Sequence, residues 1–277
     1  MSLREKLSVS AIENSKKEIE EALKYSGRTD LYHFEDPRLD EFFFGGFGSR
    51  HAFTFYIVTG KTNTGKSMFV QNMIAGIVKA GVRWAYLVLE DSRADTFARL
   101  EKIIGKEELI HANKIIETEE DVEDLYSVND ALDHIEYLYD VENCDVVILD
   151  HLQFLFESID QDKSHDQNFM QRYLMRKINK IVKTRNKTLI CVSHVNKGSE
   201  KDNNPLDLVI GSSSLVQAAT NVIYIKNDED GIRVQMPKSR YTKRRLSSEE
   251  KHIRYDKNLR LLVDDCIEEG NNDLDKL

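Results

Sequence analysis

The octapeptide Gly60-Lys61-Thr62-Asn63-Thr64-Gly65-Lys66-Ser67 constrains this chain more than any other stretch. It fits GxxxxGK[ST] completely, and its flanks supply the context that pattern needs. Ala52–Thr59 reads as a buried strand, and Ser67–Ala80 as a helix stopped by Gly81. Glycines between a strand and a helix let backbone N–H groups turn inward around a polyphosphate. The helix N-terminus adds its partial positive charge. Lys66 is placed to reach the β- and γ-phosphates, and the Ser67 hydroxyl to hold Mg²⁺. Gly60, Thr62, Asn63, Thr64, Gly65, Lys66, Ser67 and Met68 are the candidate nucleotide contacts.

The pattern around the octapeptide repeats strand then helix. Arg83–Leu89 reads as a strand, and Ser92–Ile104 as a helix stopped by Gly105. A short strand is expected at 114–118, a helix at 121–140, a strand at Asp145–Leu149, a helix at 168–186 and a strand at Thr188–Ser193. Such alternation implies an α/β fold with a mostly parallel sheet flanked by helices. After residue 221 only strands are expected, at 221–226, 232–236, 252–256 and 259–263, with turns at Asn227–Gly231 and Lys257-Asn258. They form an antiparallel C-terminal edge. The expected organisation is an N-terminal helical arm (1–35), one body (36–263) and an acidic, disordered tail (264–277). Within the arm, residues 10–26 read as a helix capped by Ser10 and Glu13. Its apolar positions are sparse, so it is either a solvated surface helix or an arm that docks on a neighbouring subunit.

Composition narrows the class of function. Forty per cent hydrophobic and 31% charged residues make a globular balance and exclude a wholly disordered chain. No run is long and apolar enough to span a bilayer, so no membrane partner is expected. The first residues lack the apolar core of a signal peptide. Cys144, Cys191 and Cys266 form no metal pattern or disulfide framework, which points to a reduced, cytoplasmic compartment. The net charge of −9 weighs against a chain coated in nucleic acid, although local basic patches can still bind it.

Two further apolar strands end in acids. Val146-Val147-Ile148-Leu149-Asp150 places Asp150 at the sheet edge where ligands bind, as a carboxylate for Mg²⁺ or simply a helix cap. Leu87-Val88-Leu89-Glu90 places Glu90 near the γ-phosphate, where a carboxylate deprotonates an attacking water. Asp91 is the neighbour that can be confused with it. The strand 189–193 is followed by His194, which is placed to hydrogen-bond a γ-phosphate and report its loss to the next loop.

In combination these motifs resemble the RecA-like hexameric replicative DNA helicases of the DnaB type, especially the phage and Twinkle branch. The resemblance covers roughly residues 36–263. It rests on Phe43-Phe44-Gly45-Gly46, the phosphate loop, Leu89-Glu90-Asp91-Ser92, Ile148-Leu149-Asp150-His151 and Val192-Ser193-His194. Gly211-Ser212-Ser213-Ser214-Leu215 and Lys238-Ser239-Arg240 extend it. The resemblance implies a RecA-like P-loop fold that binds ATP and Mg²⁺ between subunits of a homo-oligomeric, hexameric ring. That ring would translocate on single-stranded DNA and work with a primase or other replication proteins. It further implies Glu90 as catalytic base, His194 as phosphate sensor, and Arg240 as an arginine finger entering the neighbour's site with Lys238 beside it. The alternative for Lys238 and Arg240 is a general basic patch. Tyr255 sits where the family has a ring beside adenine, or else it is a hairpin core residue.

The DNA-facing candidates are Lys197, Lys201, Gly211, Ser212 and Ser213. The sequence departs from the family there. Ile210 replaces a frequent arginine, Lys226-Asn227-Asp228 lacks the adenine-side arginine, and residues 157–167 carry four acids against one lysine. The rival reading is a RecA- or KaiC-like ATPase that acts on protein partners or forms filaments on DNA without unwinding. A non-catalytic nucleotide-binding regulator conflicts with intact Lys66 and Glu90. A small-molecule kinase lacks a readable acceptor site or lid.

Overall fold

The structure is a computed structural model that describes residues 30–122, 128–152, 167–195, 206, 212–240 and 249–264. The helix expected at 10–26, the acidic stretch 157–166, Lys197, Lys201, Gly211 and the tail from 265 lie outside the described residues.

Six strands run parallel at the heart of the molecule. They are β1 (Thr54–Gly60), β2 (Trp84–Val88), β3 (Lys114–Thr118), β4 (Val146–Asp150), β5 (Thr188–His194) and β6 (Asn221–Asp228). β7 (Gly231–Ser239), β8 (Glu250–Tyr255) and β9 (Leu261–Val263) add an antiparallel edge. The order across the nine-stranded sheet is β3-β2-β4-β5-β1-β6-β7-β8-β9. β1, β2 and β4 are buried along their whole length, which is why they read as continuous apolar runs rather than alternating ones.

Alternate residues of these strands divide between two cores. On one face Tyr56, Val58, Trp84, Tyr86 and Ile148 meet Phe69, Met73, Ile74 and Ile77 of α2 (Lys66–Lys79) and Leu100 of α3 (Arg93–Ile104). On the other, Phe55, Ile57, Leu87, Val147 and Leu189 meet α5 (Val128–Asp140) and α6 (Gln167–Thr184) through Ile135, Leu138, Leu174 and Ile178. Full burial of one such side chain is worth about 1.5–3 kcal/mol. Truncating Phe69 to Ala therefore costs roughly 3–5 kcal/mol.

Boundaries differ from the sequence expectation where short elements lack periodicity. α1 (Pro37–Phe42) has no periodic signal, yet Pro37 opens it and the Asp36 carboxylate accepts from the Arg38 N–H as its cap. α4 (Lys106–His111) follows α3 directly through Gly105, with Leu109 as its buried residue. The helix expected over 121–140 is a 3₁₀ turn at Glu119–Val122 and then α5. Tyr32 and Phe34 pack in the first core, so the packed body begins before residue 36. Ser212 and Ser213, two of the DNA-facing candidates, open the short helix α7 (Ser212–Ala218).

The antiparallel edge carries an irregularity. Val222 pairs Lys238 and Tyr224 pairs Gln235, so Met236 and Pro237 oppose Ile223 alone. Proline has no N–H for the ladder, and a bulge is where a strand tolerates it.

Candidate nucleotide-binding site

β1 delivers the chain to Gly60 at the C-terminal edge of the parallel strands. A Cβ at Gly60 would collide with the Ile225 carbonyl oxygen, so the approach of β6 demands glycine. Gly65, just before α2, has φ +89°, and Asn63 has φ +62°, left-handed values that suit these two residue types. The resulting loop is tight. The Lys61 carbonyl accepts from Thr64 Oγ1 at 2.8 Å and from Lys66 Nζ at 2.8 Å. Thr62 and Asn63 are exposed, Lys66 is buried, and Ser67 and Met68 are half-buried. Burial pulls the Lys66 amine below its ordinary pKa, against the charges of Asp150 and Glu90. An ammonium in that position is better served by an anionic phosphate oxygen than by a loop carbonyl.

The strand-end acids converge beside this loop. Val88 pairs Asp150 across β2 and β4, and Gly60 pairs His194 across β1 and β5. Glu90, just past β2, sets Oε1 3.3 Å from His151 Nε2 and 3.5 Å from His194 Nε2. The two rings meet edge to face with centroids 5.0 Å apart. Asp91 is instead paired with Arg99, so Glu90 is the acid that joins the group. Burial lowers the His194 pKa, helped by the Lys66 and His151 charges, so its neutral form is favoured despite Glu90.

Asp150 is buried and accepts from the Tyr86 hydroxyl at 2.9 Å through Oδ2. Its Oδ1 is buried with no protein partner among the described residues. Burial raises its carboxyl pKa, against the lowering effect of hydrogen bonds from Tyr86 and Ser67. A serine hydroxyl and a carboxylate with an unused buried oxygen form a hard-oxygen donor pair. That chemistry fits Mg²⁺, which takes one or two protein oxygens and leaves the rest to water and phosphate.

Sequence reasoning assigns no role to Tyr86 or His151. The signal for Tyr86 is a hydroxyl inside an otherwise apolar strand, which needs a buried partner. His151 follows the strand-end acid directly, but only the packing of β2, β4 and β5 brings it to Glu90.

Tyr255 reaches this site from the other end of the chain. Its hydroxyl donates to the Gly65 carbonyl at 3.4 Å. Asn72 of α2 holds the β8–β9 turn, donating to the Leu259 carbonyl at 3.0 Å and accepting from the Leu261 N–H at 2.8 Å. That clamp sets the ring beside the phosphate loop.

Lys238 and Arg240 lie elsewhere. Lys238 Nζ donates to the Val216 carbonyl, and Arg240 Nη2 to the Gln217 carbonyl at 2.9 Å, both at the C-terminal end of α7. Burial and the Arg240 charge lower the Lys238 amine to about 8. Ser239 pairs Asn221, which pairs Tyr56, whereas Gly60 pairs Ile225. The two sheet edges are therefore ~13 Å apart at ~3.3 Å per residue. The pair sits at the edge opposite the phosphate loop. A cavity of about 450 Å³ lined by Arg50, Arg83, Asn113, Glu142 and Asp145 also opens at that far edge. Arg83 is already bonded there to Asn113 and Glu142.

A mostly parallel sheet with a glycine-rich phosphate loop after a central strand, and acids at neighbouring strand ends, defines the RecA-like and KaiC-like P-loop class. The chain belongs to the AAA_25 family of AAA domains, an ATPase family, whose pattern it matches over residues 45–200. No curated protein matches it in sequence. Among solved structures it is similar to the KaiC-like protein PH0186 from the hyperthermophilic archaeon Pyrococcus horikoshii OT3. That match has a TM-score of 0.62 and 18% identity, over 85% of this chain and 98% of that one. It is also similar to a second solved structure, an ATPase domain. Here the TM-score is 0.64 and the identity 15%, over 90% of this chain and 95% of that one. No helix among the described residues is long and apolar enough to cross a membrane.

Proposed function

We propose that this chain is the ATP-hydrolysing motor of a ring-forming DNA helicase, with nucleotide held between subunits. Lys66 leaves the Lys61 carbonyl for the β- and γ-phosphates, and the N–H groups of the loop cradle them. Ser67 and Asp150 would hold Mg²⁺, which neutralises polyphosphate charge. Glu90 accepts a proton from a water whose oxygen attacks the γ-phosphorus. The bond to the β-phosphate oxygen breaks, and ADP and inorganic phosphate leave. Neutral His194 hydrogen-bonds the γ-phosphate and passes its loss to the segment after β5.

The observation that carries this reading is the separation of Glu90, Asp150 and His194 from Lys238 and Arg240 by the whole depth of the sheet. A basic pair on the far edge cannot serve its own phosphate loop, but it can serve that of a second copy. An arginine supplied in this way stabilises charge on the transferred phosphoryl group and makes turnover depend on assembly. A hexameric ring on single-stranded DNA, with a primase or other replication proteins as partners, is the form the motif order supports.

A KaiC-like ATPase acting on protein is the second reading. It is favoured by Ser212 and Ser213, which open a helix rather than an extended DNA-facing loop. ATP hydrolysis with and without single-stranded DNA, at low and moderate salt, separates the two. Stimulation by DNA that vanishes in Glu90→Gln, followed by strand unwinding, is the expected outcome. Hydrolysis that is indifferent to DNA in the assembled protein selects the second reading.

A further inference from the structure

Glu90, His151 and His194 form a cluster that the ATPase chemistry does not fully use. Their ligand atoms all lie within 4.8 Å of one another. The Glu90 Oε1 distances to the two imidazole Nε2 atoms are 3.3 Å and 3.5 Å. A tetrahedral ion with bonds of about 2.0–2.2 Å has ligand–ligand edges of roughly 3.3–3.6 Å. The group thus already has the spacing of two edges of a zinc tetrahedron. The histidine side chains are 13% and 18% exposed, and Glu90 is 52% exposed, so the group is open to solvent on the carboxylate side. Two imidazoles and one carboxylate are the donors of zinc sites that keep a fourth position open. Imidazole nitrogen suits Zn²⁺, Ni²⁺ and Cu²⁺, whereas Mg²⁺ takes oxygen. Ser67 and Asp150 next door offer only oxygen, so donor chemistry separates the two neighbouring sites.

We propose that Glu90, His151 and His194 are a second metal site, which takes Zn²⁺ and blocks turnover when filled. Zn²⁺ there withdraws the Glu90 carboxylate lone pair from water and occupies His194 Nε2, the ring nitrogen that faces Glu90. The binding half of the proposal stands on geometry alone. The inhibitory half rests on the roles given above to Glu90 and His194.

The test is calorimetric titration of the full chain, free of nucleotide and in excess Mg²⁺, with zinc chloride. One Zn²⁺ per chain is expected. Even loss of an outer-shell partner weakens a metal site by about 10–100-fold, so His151→Ala, which removes a ligand, should weaken binding at least about tenfold. Binding of a fluorescent ATP analogue checks that the variant is folded. If it is not, Glu90→Gln carries the same comparison, since its side chain is half exposed. Cobalt(II) in place of zinc should give the intense visible bands of a tetrahedral site, and these should disappear in the same variants. Absent stoichiometric binding, or affinity unchanged in the folded variants, overturns the proposal.

A second arm measures ATP turnover at saturating Mg²⁺–ATP with and without Zn²⁺. Wild type should be inhibited and restored by a chelator, while His151→Ala keeps a larger fraction of its own zinc-free rate. A chain that binds Zn²⁺ through these residues but hydrolyses no ATP sinks the motor reading alone. A chain that hydrolyses ATP and binds no Zn²⁺ sinks the metal site alone.

Discussion

The two edges of the parallel sheet differ in what their polar side chains hold. At the C-terminal edge Lys66, Ser67, Glu90, Asp150 and His194 crowd one loop, with a buried carboxylate oxygen left over. At the N-terminal edge Lys238 and Arg240 rest on the last carbonyls of α7, where a helix C-terminus welcomes cations. The first edge is short of positive charge once a polyphosphate arrives, and the second holds cations by bonds that can be exchanged. The difference teaches that the two edges are complementary but cannot meet within one chain.

Three experiments break or sharpen that contrast. The largest effect is expected from Arg240→Ala. Turnover should fall by about 10³-fold or more, the scale of an arginine supplied in trans, while nucleotide affinity stays close to wild type. Mixing Arg240→Ala with Glu90→Gln should restore part of the rate, because some interfaces then carry both intact groups. A rate unaffected by Arg240→Ala, or no recovery on mixing, breaks the contrast.

A smaller effect is expected from Tyr86→Phe, which removes the hydroxyl that donates to Asp150 Oδ2. Phenylalanine keeps the core volume, and the carboxylate loses one restraint. The Mg²⁺ concentration needed for half-maximal turnover should rise about tenfold, the usual scale for an outer-shell partner. An unchanged requirement would show that Ser67 alone orients Asp150.

The smallest effect concerns pH. The Lys238 amine titrates near 8, below the ordinary lysine range, because burial and Arg240 disfavour its charge. It is charged below that pH and neutral above it. Wild-type turnover should therefore decline as pH rises through about 8. Lys238→Arg, charged throughout, should lose that limb and change the rate only a few-fold at lower pH. Stability moves the opposite way through linkage. The unfolded chain holds the proton more tightly, so stability rises with pH between about 8 and the ordinary lysine value.

Much of this is legible in the sequence because the signals are local. A phosphate loop needs its glycines within eight consecutive residues, and a buried parallel strand announces itself as an apolar run. The strand expected at 114–118 has those bounds in the fold. α1 and α4 escape sequence reasoning because six residues hold too few apolar positions to show a period. Ser212 and Ser213 escape it because small polar residues fit a loop or a first helical turn equally well.

The sequence by itself determined the class of fold, the phosphate loop and the acids at two strand ends. Each follows from neighbours along the chain and from the period-two or continuous burial of strands. Only the tertiary structure decided which of Glu90 and Asp91 turns toward the loop, that His151 joins Glu90 and His194, and that Tyr255 leans on Gly65 through the Asn72 clamp. It also decided that Lys238 and Arg240 fall on the opposite edge. These are pairings between residues remote in sequence. Strand order and the antiparallel return of β7 create them, and no local periodicity encodes either.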